Sequence, residues 1–171
     1  KLVRVAAAIG LGKLGNKKAV PHLIQALKNN DLLLPAIKAL ERLGDKSAIK
    51  PLIEAMTSGV RLTQRHAIED TLGAFGEPAI KPLSKVLHHR NSDVREGVVC
   101  ALHKTSDRKA VDLLIRALKD PDANVRWLAT RALGDILDER AVKPLLKMLN
   151  NEKDSYVREE AEQTLGKLGS K

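Results

Sequence analysis

The sequence is short of aromatic residues. One Trp, one Tyr and one Phe make up 2% of its 171 residues. Compact cores usually lean on these side chains, because each buries a large apolar area. Here the core must be built from Leu, Ile, Val and Ala, which suits close helix packing. Cysteine is nearly absent too. Cys100 stands alone, so an internal disulfide framework is excluded, and the expected location is the cytoplasm. No apolar run approaches the ~20 residues that span a bilayer, so no membrane partner is expected. No secretory signal pattern is visible, and the first residue is not Met. The chain starts inside a helical pattern at Lys1-Leu2-Val3-Arg4, so a fragment of a longer protein is the expectation.

What is present is globular in character. Hydrophobic residues make up 43% and charged residues 30%, a composition that folds rather than staying disordered. The net charge is +9 and the pI near 9.8. That balance admits nucleic acid, an acidic protein partner, or simple solubility, and the placement of the charge must decide.

Self-similarity dominates the chain. Ala followed by Val or Ile, then Leu at the fourth position beyond the Ala, occurs at Ala19 to Leu23, Ala48 to Leu52, Ala79 to Leu83, Ala110 to Leu114 and Ala141 to Leu145. The steps between them are 29, 31, 31 and 31 residues. A second register interleaves with the first. Arg4, Arg65, Arg95, Arg126 and Arg158 each stand eight residues before Gly12, Gly73, His103, Gly134 and Gly166. A Leu precedes that position every time. Leu33 and Glu41 fill the remaining unit, with Leu40 keeping its place.

Each unit therefore holds two helical patterns. The first, as in "AVKPLLKML", has apolar residues at helical spacing. Asn16, Asp45, Asp107 and Asp138 sit three residues before the Ala, where a short side-chain oxygen can accept from a free backbone N–H. Pro51, Pro82 and Pro144 fall in expected first turns, and Pro78 follows Glu77 in the third unit. The second pattern, as in "VRWLATRALGDIL", is rich in Ala and Leu, and small residues let neighbouring helices approach. Connections of about two to five residues predict antiparallel neighbours.

These residues resemble the HEAT-like repeats of the phycobilisome-lyase type, whose pattern reads roughly D-x-x-V-R-x-x-A-A-x-A-L-G-x-L-G-D-x-x-A-V-x-x-L-x-x-A-L. Asp122 to Leu149 matches it almost throughout and Val3 to Leu27 nearly as well. Residues 31–43 depart from it, lacking the Val-Arg pair and carrying Pro35, which predicts a shortened helix or a bent start. Residues 102–106 lose both glycines. The resemblance implies an all-α fold, a right-handed solenoid of about eleven helices with a period of about 31 residues. It reads as an orphan inner helix at 1–15, then outer–inner pairs at 16–44, 45–76, 77–106, 107–137 and 138–169.

The resemblance also implies that Arg4, Arg65, Arg95, Arg126 and Arg158 form a structural ladder between layers. Asp122 and Asp154, four residues before Arg126 and Arg158, are its expected acidic partners. The other outward positions of the inner helices would then line a concave groove. They begin with Val5, Lys13 and Lys38, are mixed and aromatic in the middle, and turn acidic at Glu159 and Glu160. The candidate groove residues are His66, Asp70, Cys100, Lys104, Trp127, Arg131, Asp135 and Tyr156. Trp beside Arg in a groove is the composition of a binding hot spot.

The basic excess sits mainly on the outer helices and edges, for example at Lys17, Lys18, Lys81, Lys85, Arg108 and Lys109. Inner segments stay near balance after Lys1, Arg4 and Lys13. A duplex in the groove would need a continuous basic lining, so nucleic acid is not the favoured partner. His88 and His89 are adjacent and point about 100° apart on a helix, and no His is followed by Glu, so no metal is expected. Cys100 on a Val/Ala stretch reads as packing, and nothing supplies an orienting group or an oxyanion hole beside it. No cofactor is expected. The functional expectation is a non-catalytic scaffold that binds a protein or peptide in the concave groove. Two alternatives stand beside it. One is a bilin lyase-like subunit acting on chromophore-bearing antenna proteins. The other is a nucleic-acid-binding HEAT-like protein.

Overall fold

The computed structural model describes residues 2–169, apart from the side chains of Leu2, Arg4, Val5, Ala8 and Leu11. These residues form eleven α-helices and no strand. The first six helices are α1 Leu2–Lys13, α2 Val20–Ala26, α3 Asn30–Leu43, α4 Ile49–Thr57, α5 Leu62–Ala74 and α6 Glu77–Ser84. The rest are α7 Ser92–Lys104, α8 Val111–Ala117, α9 Ala123–Ile136, α10 Val142–Leu149 and α11 Ser155–Gly169. Four 3₁₀ turns, at Lys17–Ala19, Lys46–Ala48, Arg108–Ala110 and Glu139–Ala141, lead into α2, α4, α8 and α10. The fold is an α-solenoid.

The two sequence registers become its two rows. In the outer row, Ala19, Ala48, Ala79, Ala110 and Ala141 are buried, and so are Leu23, Leu52, Leu83, Leu114 and Leu145. In the inner row, Leu40, Leu72, Leu102 and Leu133 are fully buried. Each such Leu contributes roughly 1.5–3 kcal/mol on leaving water, so the repeat itself supplies the core. The short helices start where the sequence puts their caps. Asn16, Asp45, Asp107 and Asp138 accept from the backbone N–H two residues on, at 2.8–3.1 Å.

Inner helices pack along their lengths in the order α1, α3, α5, α7, α9, α11, whereas outer helices touch one another sparsely apart from α4 with α6. The repeat resemblance makes this inner row the concave side. Glycine permits the tight spacing. A Cβ at Gly134 would lie 2.6 Å from Thr164 Oγ1, and one at Gly73 would overlap the Cβ of Lys104.

Two local features differ from the sequence expectation, and a third shows how a departure from the repeat is accommodated. Pro35 does not shorten its helix: α3 runs unbroken for 14 residues through it. Tertiary packing holds that helix, since Leu33, Ala36, Ile37 and Leu40 around it are all buried. Pro82 lies inside α6 rather than in its first turn, because α6 begins directly after Gly76 with no preceding 3₁₀ turn. The glycines missing from residues 102–106 are replaced without loss of the turn. Gly15, Gly44 and Gly76 have φ of 78°, 60° and 64°; Ser106 and Leu137 take the same left-handed place with φ of 51° and 56°.

Candidate functional site

The inner helices α5, α7, α9 and α11 carry all the sequence-nominated groove residues. His66, Asp70, Lys104, Arg131, Asp135 and Tyr156 are exposed, while Cys100 and Trp127 are half-buried. The structure joins several of them across layers. Lys104 Nζ lies 2.6 Å from Asp70 Oδ1, linking α7 to α5. His103 Nε2 lies 2.9 Å from Asp135 Oδ2, linking α7 to α9. On α9, the Arg131 guanidinium sits over the Trp127 ring, 5.4 Å from its centroid. That spacing is within cation–π range and holds both side chains in one presented surface. Arg131 makes no ion pair among the described residues, so its charge is available to a partner. The side chains of His66 and Tyr156 make no hydrogen bond or ion pair there either.

Between α5 and α7 the site contains a group that the sequence reading missed. Glu69 is 2% exposed. Its Oε1 is 3.5 Å from Arg65 Nε, and its Oε2 is 3.7 Å from Lys104 Nζ. Burial pushes its carboxyl above the ordinary Glu value, against the pull of Lys104, His66 and Arg65. Glu96 Oε2 lies 3.6 Å from Arg65 Nη2 on the same cluster. Gly97 leaves the room: a Cβ there would be 3.2 Å from Glu69 Oε1 and 2.9 Å from Met56 Sδ. A sequence signal existed. The position four beyond each register Arg holds Ala8, Val99 and Thr130 in three units, and an acid only at 69 and at Glu162 in the last.

Cys100 faces this cluster. Burial, with the Glu69 carboxylate adding to it, pushes its thiol up to about 11. At neutral pH it is a protonated thiol and a poor nucleophile.

Arg65, Arg95 and Arg126 bridge layers, whereas Arg158 bonds within its own repeat, and the partners differ from those expected. Arg95 donates from Nε and Nη2 to Asp120, both at 2.8 Å, and from Nη1 to the His89 carbonyl. Arg126 does the same to Glu152 at 2.7 and 2.8 Å, and to the Asp120 carbonyl. Arg65 reaches the Asp93 carbonyl and carboxylate in the next layer. Arg158 donates to the Leu149 and Glu152 carbonyls. Asp122 and Asp154 do not pair with Arg126 and Arg158. Each instead caps its own helix, Asp122 accepting from Asn124 and Val125 N–H, Asp154 from Tyr156 and Val157 N–H. An oxygen committed to two N–H groups of the first turn points along the helix, away from an Arg one turn on. The Arg4 side chain lies outside the described residues.

The family model described as HEAT repeats matches residues 1–73, 32–98 and 80–166. Phycocyanobilin lyase subunit alpha of Nostoc sp. is 35% identical over 149 residues, which is 78% of this chain and 54% of that protein. The protein of the same name from Picosynechococcus sp. is 40% identical over 75 residues, 40% of this chain and 28% of its own length. Among solved structures, human deoxyhypusine hydroxylase superposes with a TM-score of 0.58 at 20% identity, covering 99% of this chain and 80% of its own, a likeness of fold alone. The chain belongs to the HEAT-repeat family, and its repeats are of the phycobilisome-lyase HEAT-like kind. It spans about half the length of the Nostoc relative.

That similarity overturns the expectation of a non-enzyme, because the relatives at this level of identity are named lyase subunits. The expectation rested on finding no nucleophile, base and orienting group within one chain. Such a test misses a reaction whose groups are divided between a subunit and its partners.

Proposed function

We propose that the chain is the HEAT-repeat part of a phycocyanobilin-lyase-type subunit, and that its concave face holds the protein on which the lyase acts. The observation that carries the reading is the Trp127–Arg131 pair. A half-buried indole with a guanidinium stacked on it, on the inner row, is an anchor of the kind that dominates protein interfaces. Lys104, Asp70, His103 and Asp135 give the polar surround that such an anchor needs. The similarity to phycocyanobilin lyase subunits supports the choice of partner. Chemistry at this face does not run through Cys100, whose thiol is protonated at neutral pH. The role of this chain is then to position a partner, with reacting groups supplied where the two meet.

The test uses immobilised phycocyanobilin-bearing antenna protein. Wild-type chain should be retained, and a Trp127→Ala/Arg131→Ala double variant should be retained about a hundredfold less tightly, as expected for loss of an interface anchor. Equal retention of both would move the site off the inner helices. If the wild type is not retained, and free phycocyanobilin shows no change in visible absorbance with it, the lyase-type reading fails for this chain.

A further inference from the structure

A cleft of about 660 Å³ lies away from the concave face, bounded by α8, α10 and the turns that follow them. Its floor is Ile115, Leu118, Pro144 and Met148. Its rim carries four exposed lysines, Lys119, Lys143, Lys147 and Lys153. None of these ammonium groups forms an ion pair among the described residues. Three cations on neighbouring outer elements are paired: Arg108 and Arg140 with Asp138, and Lys109 with Glu77. Two acids line the cleft, but each is forked onto an arginine, Asp120 onto Arg95 and Glu152 onto Arg126. The local charge is therefore that of four lysines over an apolar floor. The site is particular to this layer, since Met148 occupies the register position of Ala26, Ala55 and Ala117.

We propose that this cleft binds an acidic amphipathic segment of a protein partner, with apolar side chains on the floor and carboxylates on the lysine rim. Three features select that occupant. The lining has no aromatic ring on which a nucleic-acid base could stack. Its one guanidinium, Arg126, is spent on Glu152, so no bidentate phosphate grip is on offer. The apolar floor is recessed behind the rim, whereas binding to a bilayer needs an apolar face that protrudes. The volume falls within the roughly 300–1,000 Å³ of ordinary ligand sites, enough to take a few side chains of a docked segment. This inference is independent of the concave-face reading, because the floor and the lysine rim lie on α8, α10 and the turns after them and include neither Trp127 nor Arg131.

The probe is a fluorescein-labelled helical peptide of Leu and Glu, with Leu at i, i+3, i+4 and i+7, followed by anisotropy at about 0.15 M salt. The wild type should bind it in the micromolar range, and polyglutamate of the same length about tenfold more weakly or not at all. Lys143→Glu/Lys147→Glu should lose about tenfold or more, and so should Met148→Glu. Lys46→Glu/Lys50→Glu makes the same charge change in the second repeat and should leave binding unchanged. Circular dichroism checks that each variant is folded; should Met148→Glu unfold, the paired lysine variants decide. The inference is overturned if the wild type does not bind the peptide, if both double variants weaken it equally, if polyglutamate binds as well, or if a DNA duplex displaces the peptide at equal concentration.

Discussion

Gly73 and Gly166 occupy the same register position, yet replacement by Ala should have opposite signs at the two. Helix propensity favours Ala over Gly by about 1 kcal/mol in a helix interior. At Gly166 a Cβ would meet nothing within 4 Å, so Gly166→Ala should keep part of that gain, about 0.5 kcal/mol near a helix end. At Gly73 the new Cβ overlaps the Cβ of Lys104, and lies 3.1 Å from its carbonyl carbon and 3.3 Å from its Cα. Two of these are main-chain atoms of α7, so relief requires that helix to shift. Overpacking of this kind costs about 1–3 kcal/mol, which leaves Gly73→Ala destabilised by about 1 kcal/mol after the propensity gain. For a chain of this size that lowers Tm by about 2–4 °C. Thermal and urea unfolding followed by far-UV circular dichroism would measure both variants. A Gly73→Ala protein as stable as wild type, or more so, would refute the argument that glycine sets the spacing of the inner row.

Other predictions follow from the same geometry. With its thiol near 11 against an ordinary 9.0, Cys100 should hold about a hundredfold less thiolate at pH 8, and alkylation by iodoacetamide should be slower by at least that factor. Labelling at the rate of a free thiol would show that Cys100 is not buried as described. Glu152→Gln breaks the fork to Arg126, and should cost about 1–3 kcal/mol at pH 7 in urea titrations, since the Glu152 side chain is only 4% exposed. Its carboxyl is held below the ordinary 4.5, chiefly by the hydrogen bonds from Arg126. The stabilisation is therefore full above about pH 5 and fades as pH falls through 4.5 and lower, so the gap between wild type and variant should close in acid. Glu69 acts in reverse. Its folded value is raised, so burial of the charge weighs on stability at neutral pH and is relieved on acidification, and Glu69→Gln should flatten that part of the pH profile. Ser106→Gly places a glycine at φ 51° and should stabilise by about 0.5–1 kcal/mol; a loss of stability would mean that the hydroxyl has a role not visible here.

Much of the fold was legible because the repeat is written in short-range spacing. The Ala and Leu of each unit lie within four residues of one another, and one face of a short helix buries both. Caps are more local still: Asn16, Asp45, Asp107 and Asp138 accept from N–H groups two residues away. Trp127 and Arg131 met on one face because they stand four apart on a helix, and that spacing holds wherever the helix sits. Pro35 shows the limit of local reasoning, since neighbouring helices hold α3 continuous in spite of it.

The sequence alone determined the period, the two rows and the starts of most helices. All of these depend on residues a few positions apart. The tertiary structure decided which charges meet. Arg95 and Arg126 find acids 25 and 26 residues on, and the near acids Asp122 and Asp154 are occupied as caps. It also decided that Glu69 lies buried among Arg65, Lys104 and Cys100, and that α8 and α10 part over Met148 to open a lysine-rimmed cleft. The physical reason is common to these cases. An encounter between layers depends on the spacing and tilt of whole helices, which packing across the full stack sets and no single repeat specifies.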